Sequence, residues 1–449
     1  MSRSHPALGG MCGCHTPPAR GARIGIFLPN WLGDLVMATP ALRAIRRHFA
    51  RGISGFRDFG IRRSGEAQSS IINHQSSIIN PQPSTLNPQP STLNPQPSTL
   101  NPQPAVRQSR LVGIVRPHLT ELLAGTDWLD EQWAFDPRAN DSRLRRRALV
   151  GRMRRERFDL VVLLTNSLDT ALLAGLGGAK RRVGYVRYGR GPLLTDRLYP
   201  PRVGRRVIPT PMVESYLRLA EALGCPPESP RLELATTEPE EQLAEQIWRR
   251  LGLRTDGRVI SLNSSGAYGA AKLWPAERFA ELARRAVDEL DHDVLVICGP
   301  NERQTAHDIV RRADRPRVFS LAEQPLGLGT SKSCIRRTRL MVSTDSGPRH
   351  IAAAFGKPVI TLLGPTLRTW IENPTVRGVF VSVDLDCLGC GKRVCPLGHH
   401  RCMRDLSAET VYKEIVKLLE EEESFAECRV LNAECRMLNE DVGSDSHWV

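Results

Sequence analysis

Four stretches of the sequence carry side chains whose types and spacing could do chemistry. In Pro29-Asn30-Trp31-Leu32-Gly33-Asp34, a short apolar run is followed by a tight turn at Gly33 and a carboxylate at the start of a helical pattern. Asp34 there either caps the helix or serves as a general base held on a rigid element. In Thr344-Asp345-Ser346-Gly347-Pro348-Arg349-His350, a Ser or Asp can cap a helix and Pro348 suits its first turn. The free N–H groups of such a helix end make a site for a phosphate or pyrophosphate. In Asn263 to Pro275, small residues allow close backbone approach, Ser264 and Ser265 add hydroxyls, and Lys272 adds a mobile cation suited to phosphate. Cys387, Cys390, Cys395 and Cys402, with His399 and His400 between them, have a spacing that could hold a structural zinc or, less readily, an iron–sulfur cluster; otherwise they are free or packed thiols.

The elements that must position these residues follow from hydrophobic patterning. Apolar runs of about five residues alternate with helical stretches. Ile24–Leu28 precedes Asp34–Phe49, and Leu160–Leu164 precedes Thr170–Leu176. Further along, Val259–Asn263 precedes Pro275–Leu290, Val294–Cys298 precedes Glu302–Arg312, and Leu340–Ser343 precedes Ser346–Phe355, with Val359–Leu363 after it. The pattern predicts an α/β protein with two Rossmann-like domains facing each other across a cleft, ligands binding at the carboxyl ends of the strands. Cys225–Glu240, rich in Pro, Thr and Glu, reads as the linker. Pro40 kinks the first helix or marks its true start. Leu35, Ala38, Leu42, Ile45 and Phe49 form that helix's apolar face. No G-x-G-x-x-G follows the first strand and no Walker A sequence occurs, which disfavours a dehydrogenase or a P-loop enzyme.

The chain has 449 residues, 24% of them charged, and a net charge of +14. An Arg-rich surface, an anionic substrate, an anionic membrane surface or nucleic acid would each account for that charge. The densest cluster is Arg143, Arg145, Arg146, Arg147, Arg152, Arg154, Arg155 and Arg157. Leu144, Ala148, Leu149 and Met153 at helical spacing make it a solvated helix face, and the lack of interleaved aromatics argues against a single-strand stacking platform. No apolar run reaches 18 residues, so no transmembrane helix is expected, and residues 1–20 lack the apolar stretch of a secretory signal. Residues 69–104 repeat with period seven, ending in three copies of PSTLNPQ followed by Pro104, too rich in Pro and polar residues to form a coil or a core. They read as a disordered insertion over about 51–108, in the loop between the first helix and the next strand of the first domain. The expected boundaries are a disordered extension over 1–21, a first domain over 22–235, a second over 236–423 and a disordered tail over 424–449.

Taken together, NWLGDLVMATPALRAIRR (30–47), SSGAYGAAKLWPAERFAELA (264–283), STDSGPRHIAAAFGKPVITLLGPT (343–366) and CPLGHHRCMRDLSAETV (395–411) resemble the bacterial ADP-heptose:lipopolysaccharide heptosyltransferases of glycosyltransferase family 9, most closely the heptosyltransferase II branch. The resemblance implies a GT-B fold, with acceptor bound by the first domain and ADP-sugar by the second. It implies an inverting transfer of heptose to the lipopolysaccharide inner core, with Asp34 as catalytic base and no metal required. It assigns Lys272, Asp345, Ser346, Gly347 and His350 to the diphosphate and sugar, and Glu302 to the adenosine. Ser264 and Ser265 fall on the donor side, Asn30 and Trp31 on the acceptor side. The implied partners are ADP-heptose, a lipid A–core acceptor and the cytoplasmic face of the inner membrane, and no nucleic acid. The foreign-looking repeat and tail leave two alternatives: a relative that binds nucleotide-sugar without transferring it, or a transferase with another ADP-sugar or acceptor.

Overall fold

Runs such as LVVL and DVLVI are buried along their whole length, as strands covered by helices on both faces must be. The computed structural model describes residues 21–50, 108–264, 266, 268–422 and 424. The N-terminal extension, the repeat insertion and the repeated tail lie, apart from a residue or so at their edges, outside the described residues.

The first half contains β1 (Arg23–Phe27), α1 (Leu32–Met37), α2 (Thr39–Ala50), β2 (Arg110–Val115), β3 (Glu131–Ala134), α3 (Arg146–Glu156), β4 (Leu160–Leu163), α4 (Leu168–Leu176), β5 (Arg181–Tyr185) and β6 (Asp196–Leu198). A small hairpin of β7 (Arg202–Val203) and β8 (Arg206–Val207) and then α5 (Met212–Glu221) complete it. Its six strands pair in parallel in the order β3-β2-β1-β4-β5-β6. Residues 225–237 form no regular element, and Thr237 then starts α6 (Glu238–Leu251) through a capping box with Glu240.

The second half repeats the plan with β9 (Val259–Asn263), α7 (Ala276–Asp288), β10 (Asp293–Ile297), α8 (Arg303–Ala313), β11 (Val318–Ser320), α9 (Leu328–Arg337), β12 (Leu340–Thr344), α10 (Gly347–Ala354), β13 (Val359–Leu362), α11 (Arg368–Ile371), β14 (Gly378–Val381), α12 (Arg401–Arg404) and α13 over 408–422. Its strand order is β11-β10-β9-β12-β13-β14, again parallel. Both sheets therefore reverse direction beside their first strand, at β1/β4 and at β9/β12. The loops leaving the carboxyl ends of those strands diverge there and open a crevice in each half.

The helical pattern expected over 34–49 is two helices, broken at Ala38, with Pro40 in the first turn of α2. Leu35, Ala38, Leu42, Ile45 and Phe49 are all buried, as their spacing requires. The patterning missed β3, β5, β6, β11 and β14, mostly edge strands whose short or polar sequences carry little signal. The insertion departs from Ala50 at the end of α2 and the chain returns at Arg110, which pairs with Arg23, the first residue of β1. Both attachment points lie at the amino edge of the sheet, opposite the crevice. That placement follows because a helix crossing back from a parallel strand must end at that edge; where the insertion itself lies falls outside the described residues.

Among the contacts that hold the halves together, two stand out by their burial and closeness. A Cβ on Gly33 would stand 2.9 Å from His350 Cδ2, and one on Gly347 would collide with the Leu32 side chain, so α1 and α10 approach closely because both positions are glycine. Lys332 on α9 is wholly buried; its Nζ lies 3.1 Å from the Glu240 carboxylate and donates to the carbonyls of Glu121 at 3.2 Å and Ala124 at 3.0 Å. Lys332→Ala strands a buried carboxylate and two carbonyls, and is expected to lower unfolding free energy by about 3 kcal/mol in urea titrations.

Candidate functional site

The two crevices face each other and enclose a cavity of about 780 Å³. From the first half Trp31, Asp34, Asn166, Arg187 and Tyr188 line it, and from the second Tyr268, Lys272, Asp345, Ser346, Gly347, His350, Thr366 and Trp370.

Asp34 lies in the first turn of α1, where Trp31 occupies the N-cap position and its side chain forms no cap hydrogen bond. The Asp34 carboxylate caps nothing either. Its described side-chain partner is Tyr216, a buried residue of α5, whose hydroxyl donates to Oδ1 at 3.5 Å. Burial, and then the negative charge of Asp345, push the Asp34 carboxyl up to about 6, against the opposing pull of the Tyr216 hydrogen bond and of Lys272. A carboxylate with that affinity for a proton, open to a cleft, is suited to take one from a substrate hydroxyl.

On the facing wall, β12 runs into α10 through Asp345 and Ser346. Ser346 stands at the N-cap position, yet its side chain caps nothing. Its Oγ accepts instead from Asn263 Nδ2 at 2.7 Å, and the same amide donates to Ser343 Oγ at 2.9 Å. Pro348 has no N–H, so the amides of Gly347 and Arg349 remain at the positive end of α10 without a side-chain acceptor. Beside them, Lys272 Nζ donates to the Asp345 carboxylate at 2.6 Å and to its carbonyl at 2.9 Å. Thr366 donates to the same carboxylate at 2.7 Å. Burial would raise the Asp345 carboxyl, but the charges of Lys272 and Arg349 hold it down to about 2. Asp345 is therefore an anion that fixes Lys272 at the cleft wall, and two of the three ammonium protons are taken by it. The Tyr268 ring lies 4.8 Å below the same Nζ. His350 is buried in the first turn of α10, and burial and Arg349 push its imidazole well below its ordinary value, leaving it neutral.

The structure thus brings together Asp34, Trp31, Lys272, Asp345, Ser346, Gly347 and His350. It does not bring the others to the cavity wall. Ser264 is buried behind it, and Ser265 lies outside the described residues. Asn30 points away, accepting from Arg116 Nε at 3.1 Å. Glu302 turns back on its own loop, accepting from the Gly299 amide at 2.8 Å. The four cysteines are free thiols, and among the described residues no three His, Cys, Asp or Glu side chains gather as a metal site. His399 Nδ1 accepts from the Arg401 amide at 3.0 Å, and its Nε2 lies 3.9 Å from Cys387 Sγ. Sequence reasoning missed Tyr216, Arg187, Tyr188, Tyr268 and Trp370. Arg187 and Tyr188 directly follow β5, so assigning Arg181–Tyr185 as a strand would have placed them at a carboxyl end.

Two Rossmann-like halves with their carboxyl edges opposed across a cleft are the GT-B architecture. The chain belongs to glycosyltransferase family 9 (heptosyltransferase), whose profile matches residues 146–401. It is 30% identical over 174 residues to lipooligosaccharide heptosyltransferase 2 of Campylobacter jejuni, a match that covers 37% of this chain and about half, 53%, of that relative. Lipopolysaccharide heptosyltransferase 2 of Escherichia coli is 26% identical over 289 residues, covering 62% of this chain and 80% of that protein. The solved structure of E. coli ADP-heptose lipopolysaccharide heptosyltransferase II superposes with a TM-score of 0.61 at 20% identity, over 89% of this chain and 99% of that one. Asp34 lies ahead of the stretch that the family profile matches, whereas Lys272 and Asp345–His350 lie within it.

Because the Tyr216 hydroxyl lowers the Asp34 carboxyl, Tyr216→Phe is expected to raise it further above 6, read as a shifted Asp titration by carbon-13 NMR of the carboxyl groups.

Proposed function

We propose that this protein is an inverting glycosyltransferase that moves L-glycero-D-manno-heptose from ADP-heptose to the inner core of lipopolysaccharide, with Asp34 as general base. One observation carries the reading. A carboxylate raised to about 6 faces, across one cavity, a helix end without a side-chain cap and a fixed lysine. The pairing is complementary: one wall takes a proton, and the other receives negative charge.

In the proposed reaction the acceptor hydroxyl, bound by the first half (22–235), attacks the anomeric carbon of a donor bound by the second (236–423). A carbon–oxygen bond forms as the bond from the anomeric carbon to the diphosphate oxygen breaks. Asp34 takes the hydroxyl proton, and ADP leaves from the opposite face, so the anomeric configuration inverts. The charge that grows on the diphosphate meets the Gly347 and Arg349 amides and the Lys272 ammonium. Neutral His350 can donate or accept a hydrogen bond there without adding charge. This reading assigns no step to a divalent cation, and chelation by EDTA is expected to leave the rate unchanged. Among the described residues no helix is long and apolar enough to cross a membrane. The reading places the enzyme in the cytoplasm, at the inner face of the inner membrane, where the lipid-borne acceptor is made.

The test is transfer from ADP-heptose to a lipid A–Kdo acceptor that already carries one heptose, read by mass spectrometry. Asp34→Asn, which keeps shape and loses the base, is expected to lose about a thousandfold in kcat/KM. Donor binding without transfer by the unaltered chain would sink the reading. The base works only when ionised, so kcat/KM should climb as pH rises through about 6 and level above it. The linkage runs the other way for stability. A carboxyl whose folded value lies above its unfolded 3.8 disfavours the fold once ionised, so Asp34→Asn should melt a few degrees higher than the parent at pH 7, by roughly 2–4 °C.

A further inference from the structure

The arginine cluster of α3 takes no part in the cleft, and beside it α4 leaves an apolar face uncovered. The outward positions of α4 are Leu168, Leu172 and Leu176, which are 50%, 45% and 48% exposed. Spaced four apart, they form one stripe roughly 12 Å long at 1.5 Å per residue. The one charged residue of the helix, Asp169, is taken by Arg146 at 2.8 Å. At the other end, Arg154 of α3 donates to the Leu176 carbonyl at 2.9 Å. The two helices therefore lie side by side and parallel, a leucine face next to an arginine face. Arg147, Arg155 and Arg157 have no acidic partner among the described residues, and Arg154 has only that neutral carbonyl. The patch leads to the cleft: Asn166, just before α4, lines the cavity, and so does Tyr188, which is 74% exposed.

We propose that this outer face of α3 and α4 docks on an anionic lipid bilayer, the leucines entering the headgroup region and the unpaired arginines meeting lipid phosphates, so that the cleft opens toward molecules anchored there. Solvation alone would account for the arginines and not for the leucines. A second copy of the chain would bring like charges together around a small apolar stripe, and nucleic acid would find no aromatic to stack on. A bilayer surface satisfies both components. The biological meaning rests on the transferase reading above, and the experiment separates the two.

The full chain is mixed with vesicles of phosphatidylcholine, alone or with phosphatidylglycerol, and bound protein is measured by sedimentation across a salt series. Binding to the anionic vesicles that weakens with salt is expected. Leu172→Ser with Leu176→Ser, and separately Arg147→Glu with Arg155→Glu, should each weaken it at least about tenfold. Melting temperature and transfer to a delipidated, water-soluble acceptor should stay unchanged. The inference is overturned if the parent ignores anionic vesicles or if both double variants bind as it does. It is equally overturned if the leucine variant abolishes a concentration-dependent dimer and leaves vesicle binding intact. Vesicle binding through this face without any heptose transfer would overturn the transferase reading and leave the surface standing.

Discussion

The buried pair of Lys272 and Asp345 is the interaction on which the rest of the site depends. It joins the loop after β9 to the end of β12, the two strands that flank the crevice of the second half. Asp345 is ionised because the charges of Lys272 and Arg349 outweigh the cost of burying it. That anion then acts in two directions. It holds the ammonium group at the cleft wall, next to the positive end of α10. It also repels charge on Asp34 across the cavity, and so contributes to keeping that carboxyl near 6. A single carboxylate thus places the cation on one wall and adds to the effect of burial on the base of the other. Removing either partner would leave an uncompensated buried charge, at a cost of roughly 3–5 kcal/mol.

A second constraint is steric. The walls can come this close only because Gly33 and Gly347 present no side chain to each other's helix. The buried Lys332 ties α9 to carbonyls of the first half near Glu121 and Ala124, away from the cavity. Together they hold the two halves against each other and leave the space between them open.

The outer surface follows a different logic. Many of the described arginines are matched by nearby carboxylates, as in the pairs of Arg254 with Asp256 and Asp291, or of Arg317 with Asp291 and Asp293. On α3, unmatched charge stands beside the exposed leucines of α4. It is the combination that an interface between water and lipid accommodates.

Local sequence determined the strand-and-helix alternation, the apolar face of the first helices and the positions of Asp34, Lys272 and Asp345–His350. Each signal lies within one short segment: five apolar residues bounded by a turn, a carboxylate after Gly33, or a proline one residue past a helix start. Period-seven repeats likewise marked 69–104 as foreign to a packed core. Tertiary structure alone decided the partners. Ser346 reads as a cap but is engaged by Asn263, because β9 and β12 are neighbours in the sheet although 80 residues apart in the chain. Lys272 reads as a free cation but is spoken for by Asp345. Glu302 reads as a ligand contact but closes its own turn. Tyr216 carries no motif, and reaches Asp34 only because α5 packs on α1 and α2. Spacing along the chain can specify what a side chain is and which element carries it. Which group shares its proton, and therefore what charge it bears, depends on neighbours that only the packing of the two sheets brings within about 3 Å.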